Sequence, residues 1–149
     1  MRKVLFASTH QHHGPQMAAA FFNAFSAPTL VKAVSAVSKS TDGAPNEVAE
    51  AMTEIGFDLS TGRAQPFSAE LVQSADLVVC LGRAECPVKP GQRRIDWTLK
   101  EPSSSSREHL RSFRDELRAK VWRLVAKEGW YKLQPVSALR HRPVLEAGI

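Results

Sequence analysis

Apolar and polar positions fall in blocks along the chain, and the spacing inside each block predicts an element. Val4, Leu5, Phe6 and Ala7 form a short apolar run that reads as a strand and gives way to a polar loop, Ser8 to Gly14. From Pro15 to Phe25, the positions Met17, Ala20, Phe21, Ala24 and Phe25 recur at helical spacing. Proline at the start of a helix costs no hydrogen bond, because its missing N–H would be unpaired there. Ser26-Ala27-Pro28 stops that helix, and Leu30 to Val37 reads as a second strand with Lys32 near an edge or an end. After a polar loop from Ser38 to Gly43, Pro45 opens a second helix, with Val48, Met52 and Ile55 on one face and Gly56 as its stop.

Phe57 to Gln65 reads as connecting chain, and Ser68 to Gln73 as a short helix capped by Ser68. Ala75 to Leu81 is almost continuously apolar, the mark of a strand covered on both faces. Gly82 to Gly91 contains Pro87 and Pro90 and reads as loop, Arg94 to Trp97 as a short last strand, and Lys100 to Ser106 as a second loop ending in serines suited to a helix cap. Arg107 to Gly129 is the longest predicted helix, with Leu110, Phe113, Leu117, Val121 and Leu124 as its apolar stripe. Beyond Trp130 no period is visible, and residues 131–149 are expected to be peripheral.

Strands alternating with helices at this spacing imply βαβ units. The expected product is a three-layer α/β/α domain around a four-stranded parallel sheet. Ligands in such sheets bind beyond the carboxyl ends of the strands, where Ser8 to Gly14 must lie. The helix after that loop adds orphan N–H groups and the positive end of its dipole, the ingredients of an anion site.

Composition changes this picture little. A chain of 149 residues is long enough for one domain with a sizeable core. Its net charge of +5 favours anionic ligands. The basic residues are scattered and not interleaved with aromatics, so a nucleic-acid partner is not expected. No apolar run approaches a membrane span, and the first residues are too weakly apolar for a signal peptide. Two cysteines, Cys80 and Cys86, are too few for a disulfide scaffold, and the expected setting is cytoplasmic and reduced.

The loop is chemically unusual. It reads Ser8, Thr9, His10, Gln11, His12, His13, Gly14, and so holds three of the chain's five histidines. Two chemistries fit. His10, His12 and His13 could ligate a transition metal such as zinc or iron, completed by Glu101 or Cys86. Alternatively an imidazole, the side chain that titrates nearest neutrality, could act as acid or base toward Ser8 or a bound substrate. The bland reading is a loop that holds a small anion by its backbone while its histidines face solvent. A protein partner, with no turnover, is the interaction alternative.

Several stretches together resemble the low-molecular-weight protein tyrosine phosphatase superfamily, in particular its thioredoxin-coupled arsenate reductases. They are KVLFAST…QMA from Lys3, SAV at Ser35 to Val37, PNEVAEAMTEIGFDLS at Pro45 to Ser60, SADLVVCL at Ser74 to Leu81, Cys86-Pro87 and Glu101-Pro102. The resemblance runs from about Lys3 to Trp130 and implies one domain over residues 1–130 of the flavodoxin type. It also implies a phosphate loop between Ser8 and Gly14. Chemistry of that kind uses a loop cysteine thiolate as nucleophile and an arginine at the loop's end as oxyanion clamp. Here those positions hold Ser8 and Gly14, while His13 matches the second reductase cysteine and Glu101 the general acid. A serine hydroxyl does not ionise at neutral pH without a base and cannot cycle through a disulfide. Loss of the guanidinium removes on the order of 3 kcal/mol of transition-state stabilisation.

The expectation is therefore a divergent relative that binds a small anionic or metal-associated ligand and lacks cysteine-dependent chemistry. Ser8, His13 and Glu101 are the residues through which any new reaction would run. Residual phosphatase or arsenate reductase activity is the weakest alternative. Cys80 is expected to be a small core residue and Cys86 an isolated loop thiol without a resolving partner. Arg83, Arg93 and Arg94 could replace the missing arginine but fit a solvated surface better. His109 and His141 read as surface, and Trp97 and Trp130 as pocket wall or plain packing.

Overall fold

The structure, a computed structural model, describes residues 1–9, 13–38, 46–59, 64–82, 85–99, 102 and 106–132. The elements run β1 (Arg2–Ser8), α1 (Gly14–Phe25), β2 (Val31–Val37), α2 (Asn46–Thr53), β3 (Gln65–Pro66), α3 (Ala69–Gln73), β4 (Leu77–Leu81), β5 (Arg93–Trp97) and α4 (Arg107–Glu128). The strands form one parallel sheet in the order β3-β2-β1-β4-β5.

The sheet has five strands where four were expected. The extra one is β3, in which Gln65 and Pro66 pair with Ala36 and Val37 at the sheet's edge. Both its side chains are exposed and one is proline, which sheets accept only at edges, so nothing alternates for a sequence pattern to reveal. Along the same edge, β2 is completed by a side chain. The Asn23 amide donates to the Ala33 carbonyl and accepts from the Ala33 N–H, both at 2.9 Å, replacing a missing strand partner.

The Ser68 cap and the glycine stops hold as expected, while Ser106 stands at the N-cap of α4 without a side-chain cap hydrogen bond. Ser68 Oγ accepts from the Leu71 N–H at 3.1 Å. Gly56 and Gly129 take left-handed φ values of 86° and 74° and end their helices with bonds back from Phe57 to Met52 and from Trp130 to Val125, each 3.0 Å. Lys32 is exposed on β2.

One face of the sheet carries the larger core, where Val4, Phe6, Val31, Leu77 and Val79 meet the apolar faces of α1, α2 and α4. Phe22 anchors it, with its ring edge-on to Phe6 at 5.8 Å and to Trp130 at 5.9 Å. Trp97 lies 5.8 Å from Phe6, so both tryptophans are packing residues. The opposite face is thinner: Leu5, Ala7, Ala36, Val78 and Cys80 meet Val72 of α3 and Cys86.

Charge links α2 to α4. Glu54, just past α2, bonds Arg111 Nη2 at 2.5 Å and Arg114 Nη1 at 2.8 Å, and Arg114 also donates to the Ala51 carbonyl at 2.8 Å. The Arg111 hydrogen bond holds the Glu54 carboxyl down at about 2 against the opposing effect of burial, and Arg114 adds to it. Near the end of the described chain, Tyr131 bridges to Ser26, and the Ala27 N–H donates to the Trp130 carbonyl at 2.7 Å. Residues 133–149, including His141, lie outside the described residues. Among the described residues, no helix is long and apolar enough to cross a membrane.

Candidate functional site

Ser8 is the last residue of β1, fully buried, in register with Val37 of β2. Its hydroxyl donates to the Leu81 carbonyl at 3.0 Å, at the carboxyl end of β4. One residue on, the Thr9 carbonyl accepts from Ser38 Oγ at 3.1 Å. The carboxyl ends of β1, β2 and β4 are thus tied together at the point where the loop leaves the sheet.

The loop returns at His13, the N-cap of α1, whose carbonyl accepts from the Met17 N–H at 3.0 Å. Gly14 and Pro15 open the helix and are buried, and no acidic residue stands in the first turn to compete for an anion. Pro15 has no N–H, so Gly14 and Gln16 carry the amide donors of the first helical positions. Gln16 is buried as well and donates to the Leu59 carbonyl at 3.4 Å, joining the helix start to the segment after α2. The structure therefore places Ser8, Thr9, His13 and Gly14 at the expected strand-to-helix crossing. His10, Gln11, His12, Glu101 and Arg83 lie outside the described residues. Among the described residues, no group of three histidine, cysteine, aspartate or glutamate side chains could hold a metal.

Two expectations about the cysteines change. Cys86 is 4% exposed, not an accessible loop thiol, and it is disulfide-bonded to Cys80, not isolated. Cys80 is in the core as expected, opposite Ala7 in the β1–β4 register, but as half of a cystine. The six-residue separation matches no short redox or metal motif, so the spacing gave no sign that the strand residue and the loop residue meet.

The arginines near the sheet's far edge are occupied elsewhere. Arg93 forms a two-pronged bond to Glu128 at 2.8 and 3.0 Å, which holds the Glu128 carboxyl below its ordinary range. Arg94 bonds Asp96 at 2.9 Å and donates to the Cys86 carbonyl at 2.9 Å. His109 is exposed on α4.

Residues 3–132 match the family described as low molecular weight phosphotyrosine protein phosphatase. A Halobacterium salinarum protein named as an arsenate reductase is 31% identical over 81 residues, which are 54% of this chain and 57% of that relative's length. An arsenate reductase solved in its oxidised state superposes with a TM-score of 0.72 at 27% identity, covering 85% of this chain and 98% of that one. Another arsenate reductase structure, in its phosphate-binding state, gives 0.63 at 26% identity, covering 85% and 98%.

Proposed function

Since the chain belongs to the low molecular weight phosphotyrosine protein phosphatase family, we propose that it is a divergent member that holds a small tetrahedral oxyanion at the Ser8–Gly14 loop and performs neither phosphatase nor reductase chemistry through cysteine. Ser8 carries this reading. The residue at the end of β1 is a serine whose hydroxyl is engaged with the Leu81 carbonyl, and a serine there offers no thiolate. Both cysteines of the chain are joined to each other, and neither stands at the nucleophile position. Gly14 supplies an amide where a guanidinium would clamp the anion. What supports binding is the surviving frame: a strand end, a short loop and a twelve-residue helix with an acid-free first turn. Likeness to a reductase in its phosphate-binding state agrees with an oxyanion as the ligand class.

Calorimetric titration with phosphate and arsenate tests this. Saturable binding of either anion, with no turnover of p-nitrophenyl phosphate and no thiol-coupled reduction of arsenate, is expected. Turnover abolished by Ser8→Ala overturns the loss of catalysis. Absence of any anion binding overturns the ligand reading in favour of an interaction protein on the same fold.

A further inference from the structure

Exposed apolar surface is concentrated at one end of the molecule. Among the described residues the exposed large apolar side chains are Met1, Leu30 and Tyr131, and all three lie at the pole where β1 begins, opposite Ser8. Backbone bonds make this pole one continuous surface. The Arg2 N–H donates to the Leu30 carbonyl, Leu30 to Ala27 and Ala27 to Trp130, while Ser26 bridges to Tyr131 and Lys132 donates to the Phe25 carbonyl at 3.1 Å. Beside half-buried Phe25 stand two more half-buried aromatics, Trp122 at 5.5 Å and Phe57 at 6.2 Å, each nearly perpendicular to its ring. Scattered apolar side chains on a surface mean little, but a contiguous group carried by separate elements marks a place where something docks.

Charge at the same pole is one-sided. Arg2, Arg123, Lys127 and Lys132 are exposed and, among the described residues, form no salt bridge. The acids beside them are Glu128, already held in a two-pronged bond by Arg93, and Asp58, next to Phe57 in the chain. Arg2 and Lys127 join Arg93 in lowering the Glu128 carboxyl, which places three cations round one anion. The cations in the first half of α4 are matched instead: Arg107 meets Glu50, and Arg111 and Arg114 meet Glu54. The excess positive charge thus belongs to the apolar pole.

We propose that this pole docks an acidic segment of a partner protein, its apolar side chains over the Phe25–Phe57–Trp122 floor and its carboxylates toward Arg2, Arg123, Lys127 and Lys132. An apolar centre with a charged rim is the anatomy of a protein interface, and tyrosine, tryptophan and arginine carry most interface energy. The rim selects the partner's sign and speeds its approach. Neither the chain's own tail nor a second copy complements it. Residues 133–149 hold Arg140 and Arg142 against Glu146, and a second copy brings the same net charge of +5. A lipid surface is the poorer match, because the aromatic floor is half-buried among exposed cations, whereas insertion needs apolar groups that project past them. The docked segment leaves the Ser8 end of the sheet open, so docking is independent of what the Ser8–Gly14 loop holds.

Titration of the full chain with a soluble, dye-labelled peptide of glutamates flanking two phenylalanines, and with its lysine counterpart, tests this. Fluorescence anisotropy should show saturable binding of the acidic peptide alone, weakening as salt rises. Arg123→Glu combined with Lys127→Glu should weaken binding about ten-fold, and Tyr131→Ala should weaken it too. In the NMR spectrum of the complex, the Trp122 indole and the Tyr131 amide should shift while the Ser8 amide stays in place. Failure of the acidic peptide to bind, equal binding of the two peptides, or equal affinity of parent and double variant overturns the proposal. Shifts confined to residues 8–14 overturn it as well, since the carboxylates would then occupy the anion site. Phosphatidylglycerol vesicles that bind the chain and move Trp122 where the peptide does not overturn it in favour of a membrane. Phosphate titration of the double variant should match the parent, so the docking surface and the proposed oxyanion site stand or fall separately.

Discussion

Ser8 and Gly14 bracket the site, and each can be tested by restoring what it replaced. A thiol at position 8 would lie at the end of β1 before a helix N-terminus, where its pKa falls. Ser8→Cys alone should give feeble turnover of p-nitrophenyl phosphate, because no guanidinium supports the transition state. Adding Gly14→Arg should raise the rate by on the order of 100-fold, the effect of about 3 kcal/mol of oxyanion stabilisation. Steady-state kinetics of the single and double variants decides this, and equal rates would show that the frame no longer positions these groups. Asn23 is a residue of a different kind, one that substitutes for a strand. Asn23→Ala removes two 2.9 Å bonds to Ala33 and leaves a backbone N–H and carbonyl without them, so a loss of about 1–2 kcal/mol is expected in urea unfolding.

Among the elements, the α2–α4 pairing depends on charge and therefore on pH. The folded state lowers the Glu54 pKa from an ordinary 4.5 to about 2, chiefly through Arg111 and then Arg114. A group depressed on folding contributes stability above its unfolded pKa and loses it as pH falls through the folded one. The contribution should thus be intact at neutral pH and fade between about 4.5 and 2. Glu128, lowered by Arg93, fades in the same direction. Thermal unfolding followed from pH 6 to pH 2 should show a smaller fall in Tm for Glu54→Gln than for the parent, with the parent more stable at neutral pH. No sequence pattern exposed this contact. Glu54 and Arg111 lie far apart in the chain, and an acid or base on an exposed helix face reads the same whether or not a partner folds against it.

At the scale of the molecule, the layers and nearly all the elements were legible because burial imposes its period on the sequence. The β4 run is apolar throughout because all its residues are buried, and α4 repeats Leu110, Phe113, Leu117, Val121 and Leu124 because that stripe meets α1 and the sheet. β3 escaped because two exposed edge residues have no period. The site was legible in position, since the resemblance around Ser8 and Gly14 places the loop at the sheet's carboxyl end. Its chemistry was legible mainly as loss: the missing thiol and guanidinium can be read directly, while the cystine depends on the fold bringing residues 80 and 86 together.

The stitching of Ser26, Ala27 and Phe25 to Trp130, Tyr131 and Lys132 has a practical consequence. Those bonds hold the last described residues against the end of α1, at the pole where β1 begins and where the Arg2 N–H meets the Leu30 carbonyl at 3.0 Å. Ser8 stands at the other pole, six strand rises away, or about 20 Å. Immobilising the domain on a sensor surface through a linker attached at Lys132 would therefore turn the Ser8 end outward into the flow, where an arriving anion meets no obstruction from the support.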